Sequence, residues 1–177
     1  MPEFSNNIVV EAEQRARDLL RSCGQVTTPT DVDHICRCLS IFLVKEDLED
    51  SLSGMSFVKS DQKYIIVNKN HRVNRRRFTI AHEIGHHVLH HDYLLRNVHV
   101  DTFVLNRDTS SADGSDRREI QANAFAAELL MPMASMRRFL SIEITDEAST
   151  REAAKTFKVS PAAFTYRLLN IGTRATL

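Results

Sequence analysis

The stretch FTIAHEIGHHVLHH, residues 78–91, constrains this chain more than any other. Five of its eight histidines fall between His82 and His91. Ile80, Ile84, Val88 and Leu95 give the segment an apolar side, so it reads as an amphipathic helix running to about His90. A helix that only packs has little use for so many imidazoles. Each helical residue advances about 100°, which puts His86 about 40° and Glu83 about 100° round from His82. Two imidazoles then face one point, one turn apart, with a carboxylate at its edge. That is how two neutral imidazoles hold Zn²⁺ while a neighbouring carboxylate takes a proton from water. Gly85 costs about 1 kcal/mol against Ala in a helix interior, which predicts a close backbone approach by another element.

The remaining histidines of the segment read differently. His90 lies about 80° round but about 12 Å along the axis from His82, so it reads as a residue behind the ligands or in the cleft. His87 and His91 lie about 140° and 180° away and read as solvated.

A catalytic zinc needs a third protein ligand and one open position. Three candidates compete. Asp92 follows the helix, but that pattern needs a Gly to break the helix where this chain has Leu89. Cys38 lies in CRCLS, without the companion motifs that a ligand there requires. Glu119 opens EIQANAFAAELLMP, whose Ala122, Ala124, Ala126 and Ala127 let its backbone come close to Gly85. Asp116-x-x-Glu119 also has the shape of a capping box, which would make Glu119 a cap residue only.

Around these motifs the chain is organised simply. Asn7 reads as the cap of a helix to about Ser22, with Gly24 as its stop; a short helix follows Pro29. Residues 41–44 read as a strand, and Met55–Lys59 with Tyr64–Asn68 as a hairpin. One exposed edge of that hairpin would accept an extended peptide. DTSSADGSD, 108–116, is a loop by composition. Helices are expected over Arg117–Met131, Met133–Leu140, Ala148–Phe157 and Ala162–Asn170, the last ended by Gly172. Arg75-Arg76-Arg77 sits where cations oppose the helix dipole and reads as a solvated face.

Lys plus Arg equals Asp plus Glu at 23 each, so net charge does not point to nucleic acid. No apolar run approaches the roughly 20 residues that span a bilayer, and the N-terminus lacks the pattern of a signal peptide. Cys23, Cys36 and Cys38 fit reduced thiols in a cytoplasm, with Cys36 and Cys38 as small buried residues.

RRRFTIAHEIGHHVLHH (75–91), followed by E-x-x-A-N-x-F-A-x-x-L-L-M-P (119–132), resembles the ImmA/IrrE family of metallopeptidases over roughly residues 25–140. The resemblance implies an α+β, thermolysin-like zincin core: a small, mostly antiparallel sheet, a metal-binding helix and a ligand helix. It implies one Zn²⁺ held by His82, His86 and Glu119, with Glu83 as the base; Asn123 joins His90 as a candidate residue behind the ligands or in the cleft. It also implies endopeptidase action on a cytoplasmic helix-turn-helix repressor, often encoded nearby, which would derepress stress, phage or mobile-element genes.

The expected division is a peptidase domain over 1–141 and a helical pair over 142–177. The pair resembles a helix-turn-helix packed on the core, and no sensory domain of the kind some relatives carry is visible. Its second helix offers only Arg167 to phosphate, thin support for DNA binding. The alternative is a non-proteolytic DNA- or protein-binding regulator, or a toxin–antitoxin component, whose metal site is structural or inactive.

Overall fold

The computed structural model describes residues 2–25, 27–102, 114–140 and 147–175. Its elements are α1 (Pro2–Ser22), α2 (Val32–Cys38), β1 (Ile41–Glu46), β2 (Leu52–Lys59), β3 (Gln62–Asn68), α3 (Val73–Leu89), α4 (His91–Leu94), β4 (His99–Thr102), α5 (Gly114–Leu130), α6 (Met133–Leu140), α7 (Glu147–Phe157) and α8 (Pro161–Ala175). The chain is α+β. No helix among the described residues is long and apolar enough to cross a membrane.

The sheet has the order β1-β3-β2-β4. β2 pairs antiparallel with both β3 and β4, while β1 runs parallel to β3, so the sheet is mixed. The hairpin turns on two residues, Ser60 and Asp61, both at positive φ, the twist that suits a tight connection between paired strands. Both hairpin strands are interior to the sheet. The expectation that one of them is the free edge is therefore wrong: among the described residues the edges are β1 and β4. β4 escapes a sequence reading because HVDT is short and polar.

Alternation along the strands sets the core. Ser56, Ile65 and Val67 are buried on the sheet face that meets α3. On the other face Phe42, Tyr64 and Phe57 stack in a row, with centroids 5.7 and 5.1 Å apart. α3 lies between the sheet and α5, and α5 lies against α1. A Cβ on Gly85 would stand 3.2 Å from Phe125 Cδ1 and 3.3 Å from Ala122 Cα. The glycine thus permits the close α3–α5 approach that brings two short blocks of sequence together.

Because α3 is covered on two sides, the reading of His87 as solvated fails. His87 is buried and its Nε2 lies 3.0 Å from the Tyr64 carbonyl. His91 is half-buried. The arginine run is not a solvated face either. Arg75 donates to Ser53 Oγ, Arg76 to the carbonyls of Lys69 and His71, and Arg77 to that of Thr30. Arg75 ties β2 to the start of α3, and Arg76 and Arg77 tie loops to it.

Other expectations shift at element ends. α1 begins at Pro2, ahead of Asn7, and α8 runs through Gly172 to Ala175. Cys36 is buried but Cys38 is exposed. The expected loop at 108–116 lies mostly outside the described residues, as does the boundary at 141/142.

The C-terminal helices meet the rest through a cluster of Phe139, Phe157 and Phe164 and a buried ion-pair network. Arg167 donates to Glu13 at 2.6 Å and to Glu128, and Arg17 lies 3.4 Å from Glu128. Arg167 is 4% exposed. The basic residue that could have met phosphate is thus committed to α1 and α5.

Candidate metal centre

α3 projects His82 and His86 to the same side, and their Nε2 atoms stand 3.1 Å apart. α5 brings Glu119 to both: Oε2 is 3.2 Å from His82 Nε2 and Oε1 is 3.3 Å from His86 Nε2. Donors at about 2.0–2.1 Å from a tetrahedral ion lie about 3.3–3.4 Å from one another. The three spacings fit one small divalent cation, and two imidazoles with a carboxylate are a donor set suited to zinc. The imidazoles are almost wholly buried while the Glu119 side chain is 40% exposed, so the cluster opens to solvent on the α5 side.

The far nitrogens of both imidazoles are bonded. His82 Nδ1 donates to Asn123 Oδ1 at 3.0 Å. His86 Nδ1 lies 3.0 Å from His90 Nδ1, and His90 Nε2 lies 3.2 Å from Gln121 Oε1. Both chains of bonds place a proton on Nδ1 and turn the Nε2 lone pairs toward Glu119. Asn123 and His90 therefore stand directly behind His82 and His86.

Glu83, on α3, is fully buried beside this group. Ser56 Oγ donates to its Oε2, while Oε1 has no hydrogen-bond partner among the described residues. Burial pushes its carboxyl up to about 8, against the pull of His82. Burial opposes charge on His82, but the hydrogen bond that its Nε2–H donates to Glu119 and the charges of Glu83 and Glu119 outweigh it and raise the imidazole to about 9. Burial alone would raise Glu119; its bonds to His82 and His86 instead hold it well below the usual carboxylate range. These are the electrostatics of a site built around one positive charge. A cation bound there would take the place of the proton, since ligation requires neutral imidazole.

A third histidine joins this cluster. His99, on β4, has ligand-capable atoms within 4.8 Å of those of His82, His86 and Glu119. Sequence reasoning passes over both His99 and Ser56. The hairpin register would have put Ser56 on the inward face, but nothing local marks His99. Of the other third-ligand candidates, Asp92 is exposed on α4, and Cys38 lies 3.4 Å from His34 Nε2; neither joins the cluster. α5 begins at Gly114, ahead of Asp116, so Asp116 does not stand at the helix boundary as a capping box requires.

The family model for the IrrE N-terminal-like domain, a peptidase family, matches residues 36–169. The chain belongs to this metallopeptidase family. Its match takes in α3 and α5, the two helices that carry the IrrE-like motifs, and most of the C-terminal pair. The chain is 29% identical over 144 residues to the metallopeptidase ImmA of Bacillus subtilis (strain 168), covering 80% of this chain and 77% of that protein. It is 35% identical over 94 residues to an uncharacterized immunity region protein 2 of Bacillus phage phi105, covering 51% of this chain and 53% of that protein.

Proposed function

We propose that this chain is a zinc-dependent endopeptidase that cleaves a regulatory protein, with His82, His86 and Glu119 holding the metal and Glu83 as the base. The observation that carries the reading is the convergence of two imidazoles and a carboxylate at 3.1–3.3 Å, beside a buried carboxylate with an unbonded oxygen. A zinc ion held there supplies Lewis acidity, polarising the scissile carbonyl and acidifying the attacking water.

The chain's own residues do the rest. Ser56 holds one oxygen of Glu83, so the free oxygen, Oε1, is aimed to take the proton of the attacking water and pass it to the leaving amine. Asn123 and the His90–Gln121 pair hold the imidazoles in orientation. The substrate lies as an extended strand against β4, an edge strand among the described residues, which carries His99 into the cluster. A cavity of about 450 Å³ lies behind Asn123, lined by Glu13, Phe78, Ile120, Tyr166 and Arg167.

The immunity-region relative and the family resemblance support a helix-turn-helix repressor as the substrate, with derepression of the genes it silences as the outcome. Burial of Arg167 weighs against α8 as a phosphate-binding helix and favours residues 142–177 as a packing segment on a peptidase domain. The test is incubation of the zinc-loaded chain with the repressor encoded beside it, followed by mass spectrometry. Cleavage at one bond by wild type, and none by Glu83→Gln, is expected. Equal cleavage by both removes Glu83 from the mechanism.

A further inference from the structure

His99 stands among the proposed ligands, yet its geometry is not that of a ligand. Two imidazoles bound to one tetrahedral ion place their ring centres about 5 Å apart. The His82 and His86 rings meet this, at 4.8 Å with planes 67° apart. The His99 and His86 rings do not: their centres are 3.8 Å apart and their planes only 30° apart. His99 is stacked on the face of a ligand. In-plane lone pairs of two rings so stacked do not meet at one ion.

What His99 faces instead is the base. Ser56 and His99 are register partners in the β2–β4 ladder, so both side chains leave the same face of the sheet and flank Glu83. Ser56 takes one carboxylate oxygen. His99 Nε2 lies 3.7 Å from the other, Oε1, and Nδ1 lies 3.7 Å from Glu119 Oε1. Both distances are too long for hydrogen bonds. Among the described residues, His99 Nε2 and Glu83 Oε1 are both buried atoms without a hydrogen-bond partner. A donor and an acceptor so placed flank a single position, within reach of both, directly beside the proposed ligands.

We propose that His99 is a catalytic residue of the peptidase and not a fourth ligand: its Nε2–H donates to the oxygen of the scissile carbonyl as that oxygen gains negative charge. The inference rests on the metallopeptidase reading of the site. It gives β4 two functions, since the strand that pairs with an extended substrate also carries the donor for the substrate's carbonyl. A substrate registered on that edge presents its reacting bond to His99 and Glu83 together. Preorganised donors of this kind are worth about a hundredfold or more in turnover.

The test uses the full chain as wild type, His99→Phe and His99→Gln. Phe keeps a ring stacked on His86 but has no N–H; Gln restores an N–H without the ring. Zinc affinity is measured by competition with a chromophoric chelator. Co²⁺-loaded protein is then titrated with acetohydroxamate, an anion whose carbonyl oxygen stands in for the scissile carbonyl oxygen, and followed by visible absorption. All three proteins should bind zinc alike. His99→Phe should bind acetohydroxamate about ten- to a hundredfold more weakly than wild type, the worth of one hydrogen bond to an anion, and His99→Gln should recover part of the loss.

Zinc affinity reduced by orders of magnitude in both variants would make His99 a ligand and overturn the proposal. Unchanged acetohydroxamate affinity in His99→Phe would reduce His99 to packing. A wild-type cobalt protein that does not respond to acetohydroxamate also overturns it. Failure of wild type to take up either metal is a different result, and sinks the metallopeptidase reading itself.

Discussion

Replacing Arg167 with Met should unfold much of what holds the C-terminal helices in place. The guanidinium is 4% exposed and spans two carboxylates, Glu13 at 8% and Glu128 at 0% side-chain exposure. Its Nε also reaches the Met131 carbonyl at 3.4 Å. Met fills a similar volume, so the loss is electrostatic and not a cavity. Removing one partner of a buried ion pair costs about 3–5 kcal/mol, because the remaining charge stays desolvated. Glu128 keeps Arg17, 34% exposed, and the Met133 amide, which places the cost toward the lower figure. In a chain of this size that is a fall in melting temperature of about 6–20 °C. Urea unfolding of wild type, Arg167→Met, Glu128→Gln and the double variant measures it. The double variant should recover part of the loss, since neutralising Glu128 removes the stranded charge. A cost under about 1 kcal/mol for Arg167→Met would refute the account, since it would class Arg167 with surface ion pairs and return α8 to the candidates for phosphate contact.

Ser56→Ala should leave zinc affinity unchanged but lower kcat for the cleaved repressor by about tenfold or more, the base being no longer held; an unchanged kcat would deny Ser56 that role. Val100→Pro and Asp101→Pro remove successive N–H groups of β4, of which one faces β2 and the other the free edge. The edge-facing one should keep the fold, by circular dichroism, and weaken cleavage. If neither affects cleavage while both fold, substrate enters elsewhere. Gly85→Val should destabilise by about 1–3 kcal/mol or more and weaken zinc binding, since its side chain would meet Phe125 and the Ala122 backbone; a thermal scan with zinc titration checks both.

The two motif helices were legible because helical period makes geometry local. His82, Glu83 and His86 are placed by the pitch of one helix, and Gly85 with the alanines after Glu119 announces how close the next helix comes. Features that depend on two elements at once were not legible. His87 is on the far side of the wheel from His82, but that side is covered by the sheet, so distance from the cluster was not exposure. The arginine run reads as a charged face until the loops that supply its carbonyl partners are placed. His99 needed a short polar strand and its pairing with β2 before it had any position at all. Arg167 gave no sign of its carboxylate partners, which come from α1 and α5.

The most direct test of the metal centre is zinc affinity by chelator competition in wild type, Glu119→Gln, Glu83→Gln, Asp92→Asn and Cys38→Ser. Wild type should bind one zinc per chain. Glu119→Gln should bind it more weakly by orders of magnitude, because the amide oxygen carries no charge to offer the ion. Glu83→Gln, Asp92→Asn and Cys38→Ser should match wild type. Undiminished affinity in Glu119→Gln, with a large loss in Glu83→Gln, Asp92→Asn or Cys38→Ser, would contradict the centre described here.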